Sequence, residues 1–308
     1  MNSGYYEDDY RRVVDAAAPV RFLPGTSIEV IGPPVRREPP GHVLFDFDGT
    51  LSLIREGWPE VMVPLMVEVL QATGSEESVE DLRNLAFGFV MELTGKQTIY
   101  QMIRLAEEVK KRGGVPEEPA AYKQVYHDRL MERIADRREA LRSGRVSREE
   151  MLVPCSIEIL DELRRRQVAL YVASGTDEPY VLEEVRLLGL DEYFGPRIYG
   201  AVDDYKTFSK ARVIKRILSE NRVEGASLLG FGDGYVEIQN VKQAGGTAVA
   251  VASDEAARSG KPDAWKRDRL IGVGADYVIP DFRDGRRLIA HLWNETEGPT
   301  GSSQGPSR

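Results

Sequence analysis

The chain has 308 residues, of which 42% are hydrophobic and 30% charged, the composition of a folded protein with a sizeable core. Its net charge of −9 argues against nucleic acid or an anionic membrane surface as partner, because no concentrated positive charge offsets phosphate repulsion. Cys155 is the one cysteine, so no intrachain disulfide can form, and its neighbours Val153 and Ile157 mark it as a packed thiol.

Residues 1–40 read as an N-terminal extension holding Tyr5-Tyr6, an acidic-basic cluster and the proline pairs Pro33-Pro34 and Pro39-Pro40. Within it, residues 27–32 alternate like a short strand able to join a sheet edge. The N-terminal residues carry acids and arginines where a signal peptide needs an apolar run, and no apolar stretch is long enough to cross a bilayer. A cytoplasmic location is expected.

His42-Val-Leu-Phe then runs into Asp46-Phe-Asp48-Gly49-Thr50. An apolar run bounded by glycine reads as a buried parallel strand ending at a loop, and open α/β sheets bind ligands at the carboxyl ends of their strands. Two neighbouring carboxylates there can divide labour, one as nucleophile or metal ligand and the other as proton carrier.

Residues 52–151 show helical stripes: Val61, Leu65 and Val69; Leu82, Leu85, Phe89 and Leu93; Ile99, Ile103 and Ala106; Tyr122, Val125, Leu130 and Ile134. Glycines at 74, 95 and 113–114 punctuate them. Trp58, Phe87 and Phe89 are expected in the apolar interior of this helical insert.

From residue 152 the pattern alternates between helix and strand. A helix over 157–166 precedes an apolar strand over 168–173 that ends in Ser174-Gly175-Thr176. Lys210 follows Ser209, an N-cap candidate, at the head of a helix over 211–221. The strand over 226–232 ends in Asp233-Gly234, with Glu237 one helical turn on. Strands over 247–252 and 275–279 and a helix over 283–294 complete the core. The Gly/Pro/Ser-rich residues 297–308 read as a disordered tail.

Acid pair, serine, lysine and acid pair, in this order at strand ends and helix starts, resemble the four motifs of the haloacid dehalogenase-like (HAD) phosphohydrolase superfamily. The resemblance covers roughly residues 42–293. It implies an α/β fold, a Rossmann-like three-layer core with a parallel sheet, built from residues 41–51 and 152–296. An all-α cap of the C1 type, residues 52–151, would be inserted after the first core strand.

It also implies an enzyme that hydrolyses phosphomonoesters of a small metabolite, such as a sugar phosphate, with Mg²⁺ as cofactor. Asp46 would attack phosphorus to give an aspartyl-phosphate, and Asp48 would carry the proton to the leaving alcohol and from the hydrolytic water. Ser174, the Gly175 N–H and Thr50 would hold the phosphoryl oxygens. Asp46, the Asp48 carbonyl and Asp233 would bind the metal, with Glu237 bound to a metal-held water or to the site lysine. Lys210 is favoured over Lys206 as that lysine, because one helix and one strand fit between it and Asp233. Substrate readers are sought at Arg55, Lys96 and Gln97 and at Thr176 and Asp177. A phosphomutase of the same fold and a non-catalytic binding module remain the alternatives.

Overall fold

In the computed structural model, which describes residues 9–17, 19–32, 38–202 and 204–295, the first core strand comes from the apolar run ahead of Asp46. Before it, β1 (Arg21–Phe22) and β2 (Glu29–Val30) form a short antiparallel pair, followed by β3 (His42–Phe45). Five helices intervene before the next strand: α1 (Pro59–Gln71), α2 (Val79–Glu92), α3 (Thr98–Lys111), α4 (Pro119–Arg133) and α5 (Ala135–Arg142). The chain continues through α6 (Ser156–Arg165), β4 (Ala169–Asp177), α7 (Glu178–Leu187), α8 (Asp191–Phe194) and β5 (Ile198–Ala201). Then come α9 (Lys210–Asn221), β6 (Leu228–Gly232), α10 (Tyr235–Gln243), β7 (Thr247–Val251), α11 (Ala264–Gly272), β8 (Tyr277–Ile279) and α12 (Gly285–Leu292).

The sheet order is β1-β2-β8-β7-β6-β3-β4-β5. From β8 to β5 all pairs are parallel, and only the two strands of the extension run antiparallel at the edge. The short strand expected at 27–32 joins the sheet as β2, between the edge strand β1 and β8, with Glu29 opposite Val278. A forked ion pair from Arg267 to Glu29, at 2.6 Å, fastens it to α11.

Strand alternation distributes β3 between two apolar layers. Val43 and Phe45 join one layer and Leu44 the other. Phe45 stacks on Phe231 of the neighbouring strand at 4.9 Å between ring centroids, and Phe282 meets both rings edge-on. β3 lies between β4 and β6 in the middle of the sheet, so the two aspartates that follow it emerge at the centre of the carboxyl edge.

The helices between β3 and β4 obey the expected periodicity, with two exceptions. In α2 the buried residues are Leu82, Ala86, Phe89 and Val90. Phe87 is 51% exposed, because it sits two residues before Phe89 and therefore on the opposite side of the helix. Val125 is 42% exposed, since α4 turns Tyr122, Tyr126 and Leu130 inward at intervals of four. The Ser78 hydroxyl caps α2 by accepting from the Asp81 N–H at 3.1 Å. The tail at 297–308, Tyr5-Tyr6 and Pro33-Pro34 lie outside the described residues.

Candidate active site

At the end of β3 the Asp46 N–H still donates to Phe231 O, and then the chain turns back on itself. The N–H groups of Leu51 and Ser52 both donate to Phe47 O at 2.9 Å. Gly49 stands at φ +73°, and a Cβ there would lie 2.1 Å from Asp233 Oδ2. Only glycine meets both conditions. The turn sends the two aspartates to different neighbours.

Asp46 is 7% exposed and faces Lys210, whose Nζ lies 2.9 Å from Asp46 Oδ1 and 2.7 Å from Glu237 Oε2. Lys210 opens α9, where the Ser209 hydroxyl accepts from the Arg212 N–H at 3.2 Å as the N-cap. Its position on the first turn puts the ammonium at the sheet's carboxyl edge, while Lys206 stays exposed in the preceding loop. Glu237 folds back from α10 and also accepts from the Gly234 N–H. A Cβ on Gly232 would clash with it, 2.0 Å from Glu237 Cγ. Although burial favours the neutral amine, the charges of Asp46 and Glu237 hold Lys210 above its ordinary pKa. Burial, then the Glu237 charge, push Asp46 well above the usual carboxylate range against the pull of Lys210.

Asp48 enters a second environment. Its Oδ2 accepts from the Thr176 hydroxyl at 2.8 Å and, more weakly, from the Ser174 hydroxyl at 3.4 Å. Its Oδ1 is buried without a hydrogen bond among the described residues, 3.7 Å from Arg55 Nε. Burial raises its pKa to about 6, with Arg55 pulling the other way. The two acids of one loop thus differ in partners as well as in position, the division that acid–base work requires.

Other expected site residues are distributed unevenly. Ser174 is buried, and its oxygen accepts from the Thr176 N–H at 3.0 Å. Ser174 and Gly175 line the pocket with Asp46, Asp48, Lys210 and Asp233. Thr50 is fully buried, and its hydroxyl donates to Asp233 Oδ1 at 3.3 Å; it supports an acid instead of facing the pocket.

Of the five substrate readers sought, Arg55, Lys96 and Thr176 line the pocket. Arg55 is already committed, forked onto Glu184 of α7 at 2.8–3.2 Å. The Lys96 ammonium lies 2.6 Å from Asp9 Oδ1. Gln97 and Asp177 do not face the pocket. The Gln97 amide donates to the carbonyls of Tyr205 and Phe208, and Asp177 receives Lys123 of α4. Both therefore tie the helical insert to the sheet domain, which short polar residues near a junction do as readily as they bind substrate.

One cluster has no counterpart in the motif pattern. Lys266, the third residue of α11, places Nζ 2.8 Å from Asp233 Oδ2, 2.6 Å from Glu255 Oε1 and 3.0 Å from Ser253 Oγ. Ser253 and Glu255 lie in the loop that leaves the carboxyl end of β7. The rule that strand ends carry chemistry points to them, but nothing local in the sequence marks the lysine.

Carboxylate oxygens of Asp46, Asp233 and Glu237 lie within 4.8 Å of one another. These residues fit a hard divalent cation on two counts. The donors are all carboxylate oxygen, the preference of Mg²⁺. Further, Asp46, Asp233, Glu237 and Glu255 set against Lys210 and Lys266 leave two negative charges in excess, the charge that one divalent ion offsets.

A parallel α/β sheet that gathers acids, a hydroxyl and a lysine at its carboxyl edge is the architecture of a hydrolase of the dehalogenase-like class. A family model for haloacid dehalogenase-like hydrolases matches residues 41–245, and the chain belongs to that family. Solved structures agree in fold. A predicted phosphoglycolate phosphatase from Haemophilus somnus superposes at TM-score 0.52 and 17% identity, covering 81% of this chain and 97% of that one. A HAD family hydrolase from Deinococcus radiodurans, with bound phosphate and sodium, gives 0.50 and 19% over 84% and 99%. A predicted phosphatase from Clostridium acetobutylicum gives 0.52 and 16% over 82% and 99%. No curated protein sequence matches the chain. Among the described residues no helix is long and apolar enough to cross a membrane.

Proposed function

We propose that the protein is a cytoplasmic, Mg²⁺-dependent phosphatase that hydrolyses a small phosphorylated metabolite through an aspartyl-phosphate on Asp46. The observation that carries this reading is the split of the acid pair. Asp46 is held by Lys210, while Asp48, with its pKa raised to about 6, stands apart beside the Ser174 and Thr176 hydroxyls.

In the proposed reaction an Asp46 oxygen bonds to phosphorus as the bond to the leaving alcohol breaks, and protonated Asp48 delivers its proton to that alcohol. Water then attacks the aspartyl-phosphate and Asp48 takes back a proton, releasing phosphate and restoring Asp46. Lys210, the Ser174 hydroxyl and the Gly175 N–H stabilise charge on the transferring group. Asp46, the Asp48 carbonyl and Asp233 would hold Mg²⁺, with Glu237 fixing Lys210. The ion supplies charge neutralisation that lets an anionic carboxylate approach an anionic phosphate.

Under the same reading residues 41–51 and 152–296 form the catalytic core and residues 52–151 a cap. The cap contributes Trp58, Lys96 and Gln101 to the pocket, where closure excludes water. The test is phosphate release from a panel of phosphorylated metabolites with Mg²⁺, beside EDTA and Asp46→Asn. Metal-dependent release that Asp46→Asn abolishes is expected. Turnover retained by Asp46→Asn would sink the mechanism.

A further inference from the structure

Each of the two aspartates that face the proposed cation has one oxygen already taken by an ammonium group. Lys210 holds Asp46 Oδ1 at 2.9 Å, and Lys266 holds Asp233 Oδ2 at 2.8 Å. The first lysine belongs to the reaction proposed above. The second has no part in it, yet it is as firmly placed. Its side chain is 12% exposed, and its three protons meet three oxygens, those of Asp233, Glu255 and Ser253. Ser253 has spent its own proton on Gly49 O at 2.7 Å, so it can only accept from the lysine. That bond also ties the cluster to the loop bearing Asp46 and Asp48. Among the described residues, these three bonds account for all three protons of the Lys266 ammonium.

We propose that Lys266 is a positioning residue that restricts Asp233 to a single metal-facing oxygen and so makes the site select Mg²⁺ over Ca²⁺. The inference rests on the metal-dependent reading of the site. Its physical basis is a difference between the two ions. Mg²⁺ demands a compact octahedron in which a carboxylate contributes one oxygen, whereas Ca²⁺ takes six to eight oxygens and readily binds both oxygens of a carboxylate. A site whose acids can each offer only one oxygen is short of ligands for Ca²⁺ and complete, with waters, for Mg²⁺. The other Asp233 oxygen, Oδ1, accepts from the Thr50 hydroxyl at 3.3 Å, a long bond that leaves lone-pair capacity for a cation.

Charge alone gives a different expectation. If Lys266 merely lowered the site's negative charge, its removal would strengthen both divalent ions by similar factors. Replacing Lys266 together with Glu255 removes one positive and one negative group, which leaves the net charge unchanged while freeing Asp233 Oδ2.

The test is calorimetric titration of the full-length protein and of a Lys266→Met/Glu255→Gln double variant with MgCl₂ and, separately, CaCl₂. Wild type is expected to bind Mg²⁺ more tightly than Ca²⁺. In the double variant the ratio of Ca²⁺ to Mg²⁺ affinity is expected to rise by about tenfold or more, the scale on which partners of metal ligands act. An unchanged ratio, with both ions weakened or strengthened together, would overturn the proposal while leaving the metal site standing. Thermal melting checks that the variant folds. If it does not, wild type still decides: Ca²⁺ bound as tightly as Mg²⁺ contradicts the selectivity, and no saturable Mg²⁺ binding at all defeats the metal reading along with it.

Discussion

Arg55 and Glu184 meet in the interior, with guanidinium NH2 2.8 Å from Glu184 Oε1 and side chains 8% and 1% exposed. They lie 129 residues apart in the chain and join the loop after the first motif to α7. Arg55 also faces Asp48 at 3.7 Å, so one arginine serves both a structural acid and the proposed proton carrier. Glu184→Ala would strand that arginine in a buried site and cost about 3–5 kcal/mol, whereas exchanging both partners for apolar residues of similar volume would cost much less. Urea denaturation of the single and double variants measures the difference.

Asp48 gives a prediction with a defined sign. Its folded value of about 6 lies above the ordinary 3.8, so the metal-free folded state binds this proton more tightly than the unfolded chain does. Below about pH 4 both states hold the proton and there is no penalty. As pH rises toward 6 the unfolded chain ionises freely and folding loses stability, by about 3 kcal/mol in total. Asp48→Asn removes that titration. Metal-free Asp48→Asn should therefore gain stability relative to wild type as pH rises from about 4 to about 6 and hold the gain above it. The proposed phosphatase activity should fall by a factor of at least about 10². Melting temperatures across this range, with EDTA present, check the stability half.

Gly49→Ala is a one-carbon probe of the loop. The new methyl would need φ +73° and would overlap Asp233 Oδ2. Strain of about 1–3 kcal/mol is expected, together with weakened Mg²⁺ binding because Asp233 must move. An alanine variant with wild-type stability and wild-type Mg²⁺ affinity would contradict the geometry of this turn.

Cation binding should also stabilise the fold. At a Mg²⁺ concentration about 100 times its Kd the gain is about 2.7 kcal/mol. Asp233→Asn should lose most of it, while its melting temperature in EDTA should change far less. A scan with and without MgCl₂ on both proteins reads this directly.

Much of the site was legible because its signals are local. Apolar residues 42–45 ahead of two acids identify a buried strand and its functional end, and Ser209 before Lys210 identifies a helix start whose first residue points back to the sheet edge. Gln97 and Asp177 had equal claim to the pocket by composition, yet Gln97 is drawn to the carbonyls of Tyr205 and Phe208 and Asp177 to Lys123. Those partners lie 54 or more residues away, beyond any periodicity. Phe87 was misplaced for a simpler reason. Two aromatic residues two apart cannot share one helix face, and the wider stripe through Leu82 and Phe89 decides which goes inside.

The sequence by itself determined the family, the strand-and-helix alternation and the acids, hydroxyl and lysine at the strand ends, because hydrophobic period, turn residues and motif order act within a few residues of one another. Only the tertiary structure decided which oxygens those acids keep free. Lys266 of α11 reaches Asp233 across 33 residues and Arg55 reaches Glu184 across 129. Such pairings depend on how helices seat against the sheet, where a buried charge must take whichever opposite charge the packing brings within reach.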